Sequence, residues 1–168
     1  ERFVYSDINF FLLGHIVSRV SGMPLEKYVQ QEIFRPLRMT DTGFTPDASR
    51  RQRIAPTERC DIKAPYPCNT PEAAHLRGIV HDPTARRMGG VAGHAGLFGT
   101  ARDLSRFARM LLGGGRLENT RILSAATVAR MTSPATPAGM MSVRGFGWDI
   151  DTTYSSNRGG LFPIVSYG

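Results

Sequence analysis

At 168 residues the chain has the length of one ordinary domain, enough to bury a core without a second. A net charge of +7 raises nucleic acid as a partner, but 19 of the 21 basic residues are arginines, scattered except at Arg50-Arg51-Gln52-Arg53 and Arg86-Arg87. No aromatic-interleaved or recognition-helix pattern accompanies them, so no nucleic-acid partner is expected. The sequence opens at Glu1 without a charged-then-apolar leader, and its apolar runs are too short to span a bilayer, so it reads as a soluble piece of something larger with no membrane segment.

The first element is announced at both ends. Ser6 or Asp7 is placed to accept hydrogen bonds from the first free backbone N–H groups of a helix, and Gly22 suits the left-handed residue beyond its last turn. Between them Phe10, Phe11, Leu12, Leu13, Ile16, Val17 and Val20 surround the axis, leaving only His15, Ser18 and Arg19 as a polar strip, so the pattern predicts a mostly buried helix. Tyr5, Ser6 and Asp7 then stand at its positive end, a phenol, a hydroxyl and a carboxylate where negative charge is favoured. A capped core helix that merely follows a tyrosine is the plainer reading of the same residues.

Pro24 opens a second helix and Pro36 stops it, with Leu25, Tyr28, Val29 and Ile33 forming one apolar stripe folded back on the first helix. Met39 to Phe44 reads as a turn and a short extended piece. From Thr45 to His81 five prolines interrupt any period, which predicts a long irregular excursion with at most a short strand near Arg53 to Pro56. Cys60 and Cys68 within it are either two thiols or a loop-stapling disulfide. Zinc would need two further ligands such as His75 and His81, at a spacing that matches no standard signature, so neither metal nor cofactor is expected. His81-Asp82 suggests an oriented imidazole, although adjacent side chains seldom face each other and Pro83 favours a turn. Arg86 and Arg87 read as solvated, or as partners for a substrate carboxylate.

Met88 to Thr100 is glycine-rich but has neither a Walker ending nor a preceding strand with the dinucleotide spacing, so close backbone packing is its better explanation. His94 inside this loop either lines a cleft or is held by a backbone partner. Thr100 caps the next helix with Asp103 as an acidic variant of the capping box; Leu104, Phe107, Ala108, Leu111 and Leu112 follow at helical spacing, and Gly113-Gly114-Gly115 ends it. A shorter helix starts at Ser124, Phe146 to Ile150 alternates like a strand, Asn157 to Gly160 reads as a turn, and Ile164-Val165 as a strand start.

Four segments in this order resemble the serine β-lactamase and penicillin-binding-protein-like hydrolases, especially the branch of class C β-lactamases, D-Ala-D-Ala carboxypeptidases and esterases. They are Phe3-Val4-Tyr5-Ser6-Asp7; Leu12-Leu13-Gly14-His15-Ile16-Val17 with Val20-Ser21-Gly22-Met23-Pro24; Ile33-Phe34-Arg35-Pro36-Leu37-Arg38-Met39; and Gly93-His94-Ala95-Gly96-Leu97-Phe98-Gly99-Thr100-Ala101-Arg102-Asp103-Leu104. The resemblance covers nearly the whole chain. It implies an α+β, β-lactamase/transpeptidase-like fold, with residues 1–168 as a single partial domain comprising mainly the helical lobe and part of the antiparallel sheet. Tyr5 matches the tyrosine of the family's Tyr-x-Asn motif and is the candidate catalytic residue; Ser6, Asp7 and His94 are candidate substrate-binding residues. Asp7 stands where the family usually has Asn, and an ionised carboxylate accepts hydrogen bonds but cannot donate them.

No serine here is followed three residues later by lysine, and no Lys-Thr-Gly or His-x-Gly segment lies in the late strand position. The nucleophile is therefore expected before Glu1 and the third motif after Gly168. The family implies acyl transfer through a serine acyl-enzyme, on a β-lactam, a D-Ala-D-Ala-type peptide or an ester. A phenol ordinarily ionises near pH ~10, so Tyr5 needs a cation to serve as base, and the family's lysine is missing. The isolated chain is accordingly expected to be inactive, with uncovered apolar faces that favour self-association. The competing reading is a non-catalytic relative that binds cell-wall peptides. A periplasmic or secreted location follows from the family, not from the residues.

Overall fold

Ser6, in extended backbone, accepts a hydrogen bond from the Ile8 N–H, and helix α1 (Asp7–Ser21) runs from there to Gly22, which closes it at φ 69°. Both predicted ends are thus observed in the computed structural model, which describes residues 3–60, 75–152, 155, 162 and 166–168. These residues gather into two compact units, Ser6–Arg106 and Glu1–Tyr5 with Phe107–Gly168.

In the first unit α1 departs from the expectation of a mostly buried helix. Gly14 alone is buried, and Ile8, Leu12, Ile16 and Val20, four residues apart, form an open stripe that is 60, 57, 52 and 83 % exposed. An apolar pattern right round a helix specifies how many sides want cover; only the side of Gly14 receives it, against Leu25 and Gly93. Helix α2 (Leu25–Val29) packs back on α1 as expected, but continues as a π-helical turn, Gln30–Phe34, whose end is marked by Arg35 N–H donating to the Gln30 carbonyl five residues back. Phe34, Leu37 and Met39 are buried just beyond.

Strand β1 (Gly43–Phe44) follows, and then a 3₁₀ helix, Ala48–Arg53, capped by Asp47. The short strand expected near Arg53 to Pro56 lies further on: Arg53 ends the 3₁₀ turn, Pro56 has no N–H for a ladder, and β2 (Glu58–Arg59) pairs antiparallel with β3 (His75–Leu76). Cys60 is disulfide-bonded; Cys68 lies outside the described residues. Pro83, in place of a simple turn, occupies the first turn of helix α3 (Pro83–Arg87), where its missing N–H costs nothing. Strand β4 (Leu97–Phe98) returns antiparallel to β1.

Helix α4 (Ala101–Leu112) begins with the Thr100 hydroxyl accepting from Asp103 N–H. Asp103 does not complete the expected capping box. Its carboxylate, 3 % exposed, turns to the partly buried Asp41 N–H at 2.8 Å and Thr42 hydroxyl at 2.9 Å, which satisfy it away from water.

In the second unit β5 (Arg116–Leu117) and β6 (Thr120–Arg121) form a hairpin that the sequence did not announce, turning through Glu118 at φ 53°. Helix α5 (Ala125–Thr132) starts at Ser124 as expected. The predicted strand from Phe146 is shorter: β7 (Val143–Arg144) pairs with β8 (Asp149–Asp151), and Gly147 at φ 81° belongs to the intervening turn. Trp148 stacks on Phe107 and meets Tyr167 edge-on at 5.4 Å. The expected turn at Asn157 to Gly160 and strand start at Ile164-Val165 lie outside the described residues. Every sheet among the described residues is a two-stranded antiparallel pair, and no described helix is long and apolar enough to cross a membrane.

Candidate active-site elements

In the first unit the candidate residues gather on the N-terminal half of α1. Ser6 caps the helix and Asp7 occupies its first turn, both at the end where unpaired N–H groups favour negative charge. The glycine-rich loop is pressed onto the next turn of the same helix. A Cβ on Gly93 would lie 2.0 Å from the Phe10 carbonyl oxygen and 3.2 Å from the Gly14 nitrogen, so only glycine lets the backbones approach this closely. The close-packing reading of the loop is what the structure contains.

That approach delivers His94 to Phe11. The imidazole meets the phenyl ring edge-on, centroids 4.5 Å apart, and its side chain is 5 % exposed. The His94 partner is a carboxylate rather than a backbone group: Nε2 donates to Asp82 Oδ1 at 2.9 Å, while Nδ1 is buried and meets no hydrogen-bond partner among the described residues. Asp82 also accepts from Ala85 N–H at 2.7 Å as N-cap of α3. That backbone hydrogen bond first, and the imidazole second, hold the Asp82 carboxyl below its ordinary value of 3.8. Val80, Ala85 and Ala92, with Ala95 packed against them, form an apolar cluster drawn from the same stretch of chain. The oriented imidazole suggested by His81-Asp82 therefore exists, with the aspartate right and the histidine twelve residues away. Arg86 is turned to Glu58 at 3.4 Å. Among the described residues no group of three or more His, Cys, Asp or Glu could hold a metal ion.

A separate cavity of about 880 Å³ opens between the 3₁₀ turn and the β1–β4 pair. Asp41 in its wall is ion-paired with both Arg50 and Arg53, at 3.1 and 3.2 Å. Ser6, Asp7 and His94 are not among its lining residues.

Tyr5 belongs to the second unit. The guanidinium carbon of Arg144 stands 5.0 Å from the centre of the Tyr5 ring, so a cation lies over the face of the tyrosine. Arg144 is paired in turn with Asp149 at 3.7 Å, and both side chains are largely buried. Sequence reasoning missed Arg144, Asp149 and the Asp82–His94 pairing. For the last, the adjacent His-Asp was a signal pointing at the wrong imidazole; for Arg144, a basic residue flanked by Val143 and Gly145 carried none.

Comparison with known proteins gives this arrangement its context. The chain is 36 % identical over 177 residues to an Escherichia coli O157:H7 protein named "Putative D-alanyl-D-alanine carboxypeptidase", covering all of this chain and 40 % of that protein. It is 35 % identical over 139 residues to an N-acetylmuramyl-L-alanine amidase of Bacillus subtilis, covering 80 % of this chain and 32 % of the relative. A β-lactamase structure from Mycobacterium bovis superposes with a TM-score of 0.61 at 19 % identity, over 99 % of this chain and 48 % of the other. The chain thus spans less than half the length of each of these three proteins, and its helices and antiparallel pairs form part of a β-lactamase/transpeptidase-like fold. The beta-lactamase family model matches residues 1–165, so that the tyrosine at the head of α1, the close-packed glycine loop and the helix after it occur together because the chain belongs to the beta-lactamase family.

Proposed function

We propose that the protein carrying this chain is a serine hydrolase that cleaves a D-alanyl amide bond of cell-wall peptides through an acyl-enzyme, and that this chain contributes one wall of its active site. The observation that carries the reading is the family match over residues 1–165, with Tyr5 directly preceding the N-cap of α1. The names of the relatives, a carboxypeptidase and an amidase, favour an amide over an ester. A serine supplied from outside this chain attacks the carbonyl carbon; its proton passes to the leaving amine with Tyr5 as relay, and water then releases the acyl group. Tyr5 is the catalytic residue of this wall. Ser6 and Asp7 present a hydroxyl and a carboxylate at the helix end, where Asp7 can accept a substrate N–H but cannot copy the donation of an asparagine. His94, buried against Phe11 and tied to Asp82, holds the loop in place instead of touching substrate.

The test uses the full-length protein and a diacylated Lys-D-Ala-D-Ala peptide, with free D-alanine as the readout. Release is expected and should fall at least about a hundredfold in Tyr5→Phe, the scale of a lost proton relay. Saturable binding of the peptide without release would transfer the conclusion to a non-catalytic binder. The 168-residue chain alone should not turn over nitrocefin or p-nitrophenyl acetate, because it contains no Ser-x-x-Lys; serine-dependent turnover by it would contradict the division of labour proposed here.

A further inference from the structure

We infer that Arg144 is a positioning residue for Tyr5, clamping the face of the phenol ring, and that Asp149 fixes Arg144 in turn; the functional consequence rests on the proposed role of Tyr5. The guanidinium carbon is 5.0 Å from the ring centroid, within the range at which a cation is attracted to an aromatic face. Arg144 is itself restrained from both ends. Its backbone carbonyl accepts from Ala135 N–H at 2.7 Å, and its head group pairs with Asp149 Oδ2 at 3.7 Å. The Asp149 carboxylate is held by two hydroxyls, Thr152 Oγ1 at 2.7 Å on one oxygen and Ser155 Oγ at 2.8 Å on the other. The β7–β8 hairpin sets Arg144 opposite Asp149.

The burial pattern separates the clamp from what it holds. The side chains of Arg144 and Asp149 are 13 and 14 % exposed, whereas Tyr5 keeps 44 % of its surface open. A largely buried guanidinium, paired with a carboxylate, thus stands over a ring that remains accessible. Arginine suits this role because its flat delocalised head lies over a ring while its edge still meets a carboxylate; lysine offers a point charge without the plane. A ring held in this way reaches a reacting group with less loss of rotational freedom, an effect expected in kcat more than in KM.

Two readouts in the full-length protein test this. Tyrosine labelled with ¹³C at Cζ gives a Tyr5 resonance identified by its loss in Tyr5→Phe. Arg144→Met should displace that resonance, with Arg144→Lys and Asp149→Asn displacing it less. With the peptide substrate, Arg144→Met should lower kcat by about five- to thirtyfold with KM within about twofold, and Arg144→Lys should recover part of the loss. An unmoved Tyr5 resonance in a variant with a native circular dichroism spectrum overturns the inference whatever the kinetics. Should Arg144→Met fail to fold, Arg144→Lys decides by the same criterion. If Tyr5→Phe keeps full turnover, the catalytic reading of Tyr5 falls and the kinetic part of the inference with it, while the resonance still decides whether Arg144 positions the ring.

Discussion

Replacing Gly93 by alanine adds one methyl group, and the structure locates where that methyl would go. It would sit 2.0 Å from the Phe10 carbonyl oxygen, 2.9 Å from the carbonyl carbon and 3.2 Å from the Gly14 nitrogen. All three obstacles are α1 backbone, so no side chain can rotate aside, and the loop and helix must separate. Overpacking of this kind costs about 1–3 kcal/mol, and an unyielding backbone places Gly93→Ala at the upper end. At about 2–4 °C per kcal/mol for a chain of this size, the melting temperature should fall by about 6–12 °C. Gly43→Ala is the matched control: Gly43 does not have positive φ, and the nearest obstacle to its Cβ is the Gln30 amide oxygen at 4.0 Å. That variant should be neutral or stabilised by up to about 1 kcal/mol through the unfolded chain. Thermal unfolding of both variants followed by circular dichroism makes the comparison. Melting temperatures within about 2 °C of each other would refute the claim that Gly93 is glycine for lack of room.

Asp103→Ala leaves the partly buried Asp41 N–H and Thr42 hydroxyl without their acceptor and should cost about 1–3 kcal/mol in urea unfolding, so an unchanged midpoint would mean that water serves them equally well. Asp82, held below 3.8 by its Ala85 and His94 hydrogen bonds, binds its proton more weakly folded than unfolded; its contribution to stability is therefore full above that value and drains away as pH falls through the folded pKa. The stability gap between wild type and Asp82→Asn should thus be widest near pH ~6 and shrink below pH ~4, and a gap independent of pH would count against the pairing. Ser124→Ala removes the hydroxyl that accepts from Thr127 N–H at 3.0 Å and should lower stability by about 1 kcal/mol, read as a shift in urea midpoint with unchanged slope.

What could be read in advance was local. The ends of α1 were legible because Ser6 and Gly22 do their work within a few residues of themselves, and the same holds for Thr100 and Ser124. The crowding at Gly93 was legible because so many glycines in one loop have few other uses. Strands of two residues, such as Glu58–Arg59 and Thr120–Arg121, span a single period of alternation and leave no repeat to detect. The π-helical turn at Gln30–Phe34 preserves the apolar spacing of an α-helix closely enough to pass for one. In the candidate site, Tyr5, Ser6 and Asp7 were visible as a sequence block, whereas Arg144 over Tyr5 and Asp82 against His94 join side chains from separate elements, and no local rule says which cap or which two-residue strand will meet which ring. The exposed stripe of α1 could not be foreseen because residue type states what prefers cover and not what provides it.

Asp41 faces two environments at once, and they should answer differently to ionic strength. Its backbone N–H is held by the buried Asp103 carboxylate, whereas its own carboxylate reaches out to the exposed heads of Arg50 and Arg53. Added salt weakens the outer clasp, where counter-ions have access, and leaves the inner bond almost untouched. Across a salt titration the amide of Asp41 should therefore stay protected from hydrogen exchange while those of the 3₁₀ turn, Ala48–Arg53, lose protection, so that a single residue marks the line between what ions can loosen and what they cannot.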